Sequence, residues 1–70
     1  MTPQELHKHV GIEIKIARLR KGVTTKQLAD KMGTGTGAIN DIELGKRGAR
    51  LETYLKIAQA LGVELKSLMP

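Results

Sequence analysis

The amino-acid sequence predicts an all-α fold, a compact bundle of five helices with no sheet. Apolar residues recur at the three- and four-residue spacing of helices, and no stretch follows the alternating pattern of a half-buried strand. Helix start and stop signals recur along the whole chain. Because 70 residues bury only a limited core, short helices with short connections are favoured. We predict a single domain over residues 1–70.

The first helix is predicted to begin after Thr2 and to continue to about Lys21. The segment Thr2–Glu5 reads TPQE, a capping box with proline at the first helical position. Gly22 stands where a C-terminal cap is needed. One face of this helix carries the apolar residues Leu6, Val10, Ile14 and Ala17.

The second helix is short. The segment TTKQ offers another capping box, with Thr24 as N-cap and Gln27 reaching back to it. Leu28, Ala29 and Met32 then fall at helical spacing. These signals predict a helix that ends at about Met32.

Residues 33–37 read GTGTG, a pattern with two interpretations. In a phosphate-binding loop the glycines follow a buried strand and lead into a helix N-terminus that holds the anion. Here the preceding QLADKM is helical, and no Gly-Lys-Ser/Thr ending follows. A turn between two helices is therefore the favoured interpretation.

The third, fourth and fifth helices follow this turn. Ala38, Ile39 and Ile42 indicate the third helix, which Gly45 can close. A basic connection, KRGAR at 46–50, leads to a fourth helix that begins at Leu51 and stops at Gly62. Its predicted apolar stripe consists of Leu51, Leu55, Ala58 and Leu61, with Tyr54 and Ile57 at the edge. The fifth helix is a last turn or two from Glu64 to about Met69, with Leu65 and Leu68 directed inward.

The charge balance favours a polyanionic partner. Twelve Lys and Arg residues against seven Asp and Glu give a formal net charge of +5. Proteins that bind single-stranded nucleic acid usually stack bases on several aromatic rings, whereas this chain has one aromatic residue, Tyr54. Double-stranded DNA therefore fits better than single-stranded nucleic acid, while ordinary solubility is the other explanation of the charge, since basic small domains without nucleic-acid partners are common.

Other classes of function are disfavoured by composition. The chain has no cysteine, and its two histidines, His7 and His9, cannot by themselves make a metal site. The carboxylates are scattered, and no Ser/His/Asp set is indicated, so we expect neither an enzyme nor a cofactor. No apolar run approaches the roughly 18 to 20 residues that a membrane span needs. A cytoplasmic location is expected.

The spacing within residues 25–42 is that of a helix-turn-helix. Such a pair needs a small residue on its first helix, a glycine at the turn and branched apolar residues on its second; here these are Ala29, Gly33, Ile39 and Ile42. With VGIEI in helix 1, TTKQLADKMG, AINDIELGKR, LETYLKIAQALGV and ELKSL, the chain from Val10 to Leu68 resembles the Cro and phage-repressor (XRE) family. The resemblance implies a lambda-repressor-like fold in which helices 2 and 3 form the helix-turn-helix. It also implies a transcriptional repressor that binds an operator as a dimer.

The resemblance assigns DNA contacts to particular residues. In the family, helix 3 is the recognition helix, which enters the major groove of DNA. Four of its positions face the bases: Thr36, Gly37, Asn40 and Asp41. Asparagine can pair bidentately with adenine, threonine can contact a thymine methyl group, and aspartate can accept from cytosine but is repelled by nearby phosphates. Six further positions face the DNA backbone: Thr25, Lys26, Thr34, Lys46, Arg47 and Arg50. Arg18 and Glu43 match a pair of positions that form a structural ion pair between helices 1 and 3.

Two departures leave a second function open. The family usually has long polar side chains where this chain has Gly35, Thr36 and Gly37, so few groups remain for base reading. The alternative is a protein-interaction module that keeps the fold without specific DNA readout.

The second departure is an apolar stripe of Ile12, Ile16 and Leu19 opposite the core face of helix 1, where the family is usually polar. Either helix 5 or the N-terminal residues cover this stripe, or it meets another protein. The dimer surface implied by the family lies around Gly62 and Met69.

Overall fold

A computed structural model describes the whole chain, Met1–Pro70. It contains four α-helices, α1 (Pro3–Arg20), α2 (Thr25–Met32), α3 (Thr36–Glu43) and α4 (Leu51–Leu61), followed by a 3₁₀ turn (Leu65–Leu68). No strand is present, so the all-α prediction is confirmed. None of the helices combines the length and the apolar content that a membrane crossing requires.

The predicted fifth helix is wrong as an α-helix. Residues 65–68 form a single 3₁₀ turn, in which the Ser67 N–H donates to the Glu64 carbonyl at 3.0 Å. Met69 is extended, with φ −92° and ψ 154°, as expected for a residue before proline, since the ring of Pro70 crowds the α conformation of its predecessor. The bundle therefore has four α-helices rather than five.

The predicted start signals of α1 and α2 are confirmed. The Thr2 hydroxyl accepts from the Glu5 N–H at 3.1 Å, and the Glu5 carboxylate accepts from the Thr2 N–H at 3.1 Å. Thr24 and Gln27 form the same reciprocal pair at 3.0 and 2.9 Å. These bonds satisfy backbone donors that a helix N-terminus leaves without partners. By contrast, the N-cap of α4 is Arg50, whose side chain makes no capping hydrogen bond.

A single core joins all the elements. It contains eleven buried apolar residues: Val10, Ile14, Leu28, Ala29, Ile39, Ile42, Tyr54, Ile57, Ala58, Leu61 and Leu68. The predicted stripe on α4 is wrong in part, because Leu51 is 66% exposed and Leu55 is 42% exposed. The buried face instead includes Tyr54 and Ile57, which the sequence placed at the edge. Both sets of residues have helical spacing, so periodicity alone could not choose between them.

Helices α1 and α3 cross closely at Gly11. A side-chain carbon at this position would clash with the carbonyl oxygen of Ile42 and would lie 2.6 Å from that of Glu43. Because both obstacles are backbone atoms at the end of α3, only glycine allows this approach. Gly11 therefore fixes how near the C-terminal end of α3 can lie to α1.

Candidate nucleic-acid interface

The GTGTG segment forms a turn between α2 and α3 and the start of α3. Gly33 has φ 68° and ψ 34°, the left-handed conformation that favours glycine, and it closes α2. The next residue, Thr34, donates its N–H to the carbonyl of Ala29 at 2.9 Å. The prediction that Gly33 is the turn glycine is confirmed, and the segment follows a helix rather than the strand that a phosphate loop requires.

The outer face of α3 carries the predicted base-reading residues. Thr36 and Gly37 are the first two residues of the helix, and they are exposed together with Asn40, one turn further on. Asp41 is half-buried, and its carbonyl accepts from the Lys46 N–H at 3.0 Å. The side chain free to extend furthest from this face is therefore the amide of Asn40.

Gly35 and Gly37 have no structural reason to be glycine. Gly35 is the N-cap of α3 with φ −89° and ψ 160°, and neither residue has positive φ. A side-chain carbon built at either position meets no atom within 4 Å. The two glycines leave Thr36 as the one exposed side chain among residues 35–37. Since only Gly37 is helical, it alone carries the helix-propensity penalty of roughly 1 kcal/mol relative to alanine.

Arg18 and Glu43 meet between α1 and α3. The Arg18 Nε donates to Glu43 Oε2 at 2.8 Å and Nη2 donates to Oε1 at 3.2 Å, a two-pronged pair in which both residues are buried. The third nitrogen of Arg18, Nη1, donates to the carbonyl of Val23 at 2.9 Å. Such geometry compensates the desolvation of both charges. The pair joins α1, the connection before α2 and the end of α3, and it holds α3 from its buried side.

The basic loop, residues 46–50, presents exposed Lys46, Arg47 and Arg50 beside α3. Arg47 borders two shallow depressions of the surface. One of them is also lined by Thr34 and Lys56, and the other by Gly48 and Arg50. Arg50 Nη1 lies 3.5 Å from Glu52 Oε1, a loose ion pair in which both side chains are largely exposed. Arg47 is thus placed between the turn before α3 and the start of α4.

Lys56 was missed by the sequence reasoning. It is an exposed residue of α4 and lines the same depression as Thr34 and Arg47. A lysine next to the apolar residue Ile57 on a predicted helix can be read from the sequence as a cation at the edge of the core. The sequence reasoning considered only the apolar stripe of this helix. Lys56 adds a fourth cation to the side of the molecule that carries the basic loop.

Thr25 and Lys26 form a separate group at the start of α2. Thr25 is half-buried as the first helical residue, and the Lys26 Nζ lies 3.4 Å from Asp30 Oδ2, with both side chains exposed. An exposed pair of this kind contributes little stability, so Lys26 can leave the carboxylate of Asp30 and pair with another anion. No contact joins this group to the basic loop.

Comparison with known proteins gives the family. Residues 14–68 match the HTH_3 family model, described as Helix-turn-helix. The chain is also similar to Multiprotein-bridging factor 1 of Debaryomyces hansenii, with 36% identity over 63 residues, 90% of this chain and 42% of that protein. It thus spans about two-fifths of the length of the curated relatives it matches.

Solved structures agree with the fold. The restriction-modification controller protein C.AhdI from Aeromonas hydrophila superposes with a TM-score of 0.83 and 29% identity, over 89% of this chain and 94% of that one. The clp gene regulator ClgR from Corynebacterium glutamicum gives a TM-score of 0.86 over 89% of this chain and 80% of that one. Its 24% identity supports the fold alone.

Proposed function

The chain belongs to the helix-turn-helix family HTH_3, and from that premise we propose that it is a sequence-specific double-stranded DNA-binding transcriptional regulator. In this proposal it is a repressor that binds a two-part operator as a homodimer. It acts in the cytoplasm without catalysis or a cofactor. Its similarity to a restriction-modification controller protein supports this class of function.

One observation carries the proposal: the exposed recognition helix adjoins a cluster of cations. Thr34, at the turn before α3, lines one depression together with Arg47 and Lys56. A duplex that received α3 in its major groove would bring its phosphates to residues placed in this way. The net charge of +5 adds a general attraction to the polyanion.

Each part of the surface has a different task in the proposed complex. Asn40 reads adenine through its amide, and Thr36 contacts a thymine methyl group. Bare Gly37 lets the first turn of α3 approach the base edges, and Asp41 borders the reading face. The phosphates are held by the backbone-contacting residues Thr25, Lys26, Thr34, Lys46, Arg47 and Arg50.

The proposed homodimer uses the surface around Gly62 and Met69. Leu51 and Leu55 share one face of α4, because positions four residues apart lie on the same side of a helix, and Gly62 caps the C-terminal end of this helix. The two leucines are exposed in the isolated chain. They extend the proposed contact along α4 and supply apolar area that a second copy would bury.

Selection of bound duplexes from a random DNA pool tests the proposal. We expect a palindromic consensus with half-sites about 10 base pairs apart, because a symmetric dimer presents its two recognition helices one helical turn apart. Selection with Asn40→Ala as the matched variant should relax one position of each half-site. Recovery of no enriched sequence by the unaltered protein would contradict specific DNA binding.

A second candidate function is a protein-interaction module, favoured by the stripe on α1. Ile12 and Leu19 are 56% and 60% exposed, and Ile16 is 36% exposed. The 3₁₀ turn covers only the edge of this stripe, where Ile16 and Leu68 line one depression. Exposed apolar patches commonly mark contacts with other proteins. The name of the relative, a multiprotein-bridging factor, agrees with a protein partner. We place this partner at Ile12, Ile16 and Leu19.

Glutamate substitutions test whether the stripe is free to bind. Ile12→Glu combined with Leu19→Glu should leave the thermal midpoint nearly unchanged, because both side chains already face water. Ile14→Glu, in the core of the same helix, is the matched control and should unfold the protein. A large loss of stability in the double variant would show that the stripe belongs to the core and would remove this candidate.

A further inference from the structure

The middle of the basic loop is held by few contacts of its own. At its start the Lys46 N–H donates to Asp41, and at its end the Arg50 carbonyl accepts from Thr53 and Tyr54. Between these points the backbone makes one hydrogen bond within the protein, from the Ala49 N–H to the Tyr54 hydroxyl at 3.3 Å. Among the backbone groups of residues 47–49, only the N–H of Ala49 is thus held within the protein, and its partner is Tyr54.

Tyr54 is fixed by a histidine 47 positions earlier in the chain. It is 4% exposed, and its hydroxyl lies 3.0 Å from Nδ1 of His7 on α1. The two rings are tilted by 40° with their centroids 6.4 Å apart. The phenol thus extends through the edge of the core, with the basic loop and α1 both in contact with its polar end.

The phenol oxygen of Tyr54 makes two hydrogen bonds. A backbone N–H can only donate, so this oxygen accepts from Ala49. The direction of the second bond, with His7 Nδ1, follows the tautomer of the imidazole: the hydroxyl donates when the ring proton is on Nε2 and accepts when it is on Nδ1. In either tautomer a hydrogen bond joins the two side chains, and the structure contains no buried side-chain polar atom without a partner.

The imidazole of His7 also meets the loop directly. A side-chain carbon built on Gly48 would clash with Nε2, Cε1 and Cδ2 of the ring. The bare backbone of Gly48 thus rests on the imidazole, while the next residue, Ala49, is bonded to the phenol. Two successive loop residues are therefore located by the same pair of side chains.

We propose that His7 and Tyr54 are positioning residues for DNA binding, a pair that holds the basic loop in place without touching DNA. By fixing Gly48 and Ala49, the pair sets the positions of the flanking Arg47 and Arg50, so that both arginines meet phosphates without first being ordered. The inference rests on the proposed function, because it assigns the pair a role in binding duplex DNA.

Tyr54→Phe tests the pair, since it removes the hydroxyl and keeps the buried ring. Duplex affinity is measured by fluorescence anisotropy at several salt concentrations, at least 20 °C below the thermal midpoint of each protein. We expect affinity to fall about three- to tenfold, the cost of ordering loop side chains on binding. The salt slope should stay unchanged, because the same phosphates are neutralised. His7→Ala should lower the affinity to the same extent, also with an unchanged salt slope. His7→Asn should recover part of the lost affinity through its amide. The control His9→Ala, on the same helix, should bind with the affinity of the wild type.

The outcomes separate the inference from the function on which it rests. A wild-type protein that binds no duplex even at low salt would overturn the proposed function, and the role in binding with it. Normal wild-type binding together with unchanged affinity in Tyr54→Phe would overturn the positioning role alone. A reduced salt slope in Tyr54→Phe would also contradict it, because the variant would then have lost phosphate contacts rather than loop order.

Discussion

The first turn of α3 and the basic loop are the two halves of the proposed DNA surface, and they are built in opposite ways. The start of α3 carries two glycines that no internal contact requires, Gly35 at the N-cap and Gly37 in the first turn, and the amide of Asn40 follows one turn later on the exposed face. The basic loop carries three cations and is tied to α1 and α4 through His7 and Tyr54. One half is bare, and the other is charged and supported.

This difference indicates that the two halves have different roles in binding DNA. Phosphate contacts position a protein on DNA and supply most of its salt-dependent affinity, whereas base contacts carry the sequence information. A surface with many cations and few base readers should therefore bind duplexes well and discriminate among them modestly. Changes in the loop and changes in the helix should then have distinguishable effects.

Removal of the loop cations should have the largest effect. Replacement of Lys46, Arg47 and Arg50 by alanine should reduce the magnitude of the log-log salt slope by roughly 3, about one for each lost phosphate contact. Affinity should fall on the order of a hundredfold at low salt, and equally for all sequences. Titration of preferred and scrambled duplexes over a salt series measures both quantities. An unchanged slope would remove the loop from the interface.

The ion pair beneath α3 should affect stability almost as strongly. Arg18→Ala or Glu43→Ala leaves a buried charge without its partner, which should destabilise the fold by about 3 kcal/mol. The double variant should lose less than the sum, because it removes both charges. Urea unfolding of the four proteins in this cycle gives the coupling energy. Additive losses would mean that the two side chains do not stabilise each other.

Asn40→Ala should act on the other half of the surface. We expect a loss of about 1 to 3 kcal/mol on the preferred duplex, with little change on scrambled DNA and no change in salt slope. The contrast with the loop variant is diagnostic, since that change weakens all sequences alike. Equal losses on both duplexes would show that Asn40 reads no base.

Gly37→Ala should move stability and binding in opposite directions. Alanine fits the free space at this helical position and should stabilise the fold by roughly 0.5 to 1 kcal/mol. The added methyl group should weaken duplex binding if the bare turn lies against the groove. Thermal unfolding and anisotropy titration of one protein sample compare the two. Higher stability with unchanged binding would place Gly37 away from the DNA.

The smallest expected effect is a pH dependence at the start of α1, away from both halves. Hydrogen bonds from Thr2, first from its backbone N–H, hold the pKa of Glu5 below its ordinary value of 4.5. The folded state therefore favours the carboxylate. The resulting stabilisation is complete above pH 4.5 and is lost as the pH falls through the lower folded-state pKa.

Glu5→Gln isolates this contribution. The difference in unfolding free energy between the variant and the wild type should be small at neutral pH and should shrink further below pH 4.5. Urea unfolding at pH 7 and pH 3 measures it, and duplex binding at pH 7 should not change. A difference that grew on acidification would contradict the lowered pKa.

The sequence was sufficient for the four α-helices and for the turn between α2 and α3, but not for the fifth helix, which is a 3₁₀ turn. Thr2 and Thr24 predicted two helix starts through capping chemistry, and Gly33 marked the turn because it needs a left-handed backbone. Local signals of this kind depend on neighbours within a few residues, so they can be read from one chain. The family resemblance from Val10 to Leu68, confirmed by the family model, supplied the arrangement of the helices.

Long-range features could not be predicted in the same way. The exposure of Leu51 and Leu55 depends on which of two apolar faces of α4 meets the rest of the core. The contact of His7 with Tyr54 and Gly48 joins residues more than 40 positions apart, and nothing in their spacing indicates it.

The ratio of affinities for a selected duplex and a scrambled duplex, measured at one stated salt concentration, decides most directly whether this surface reads DNA. Specific binding by a helix-turn-helix regulator predicts a ratio of about a thousand or more. Because α3 exposes few side chains that could read bases, we expect a ratio at the lower end of that range. A ratio near one would contradict sequence-specific binding and would favour the protein-interaction function instead.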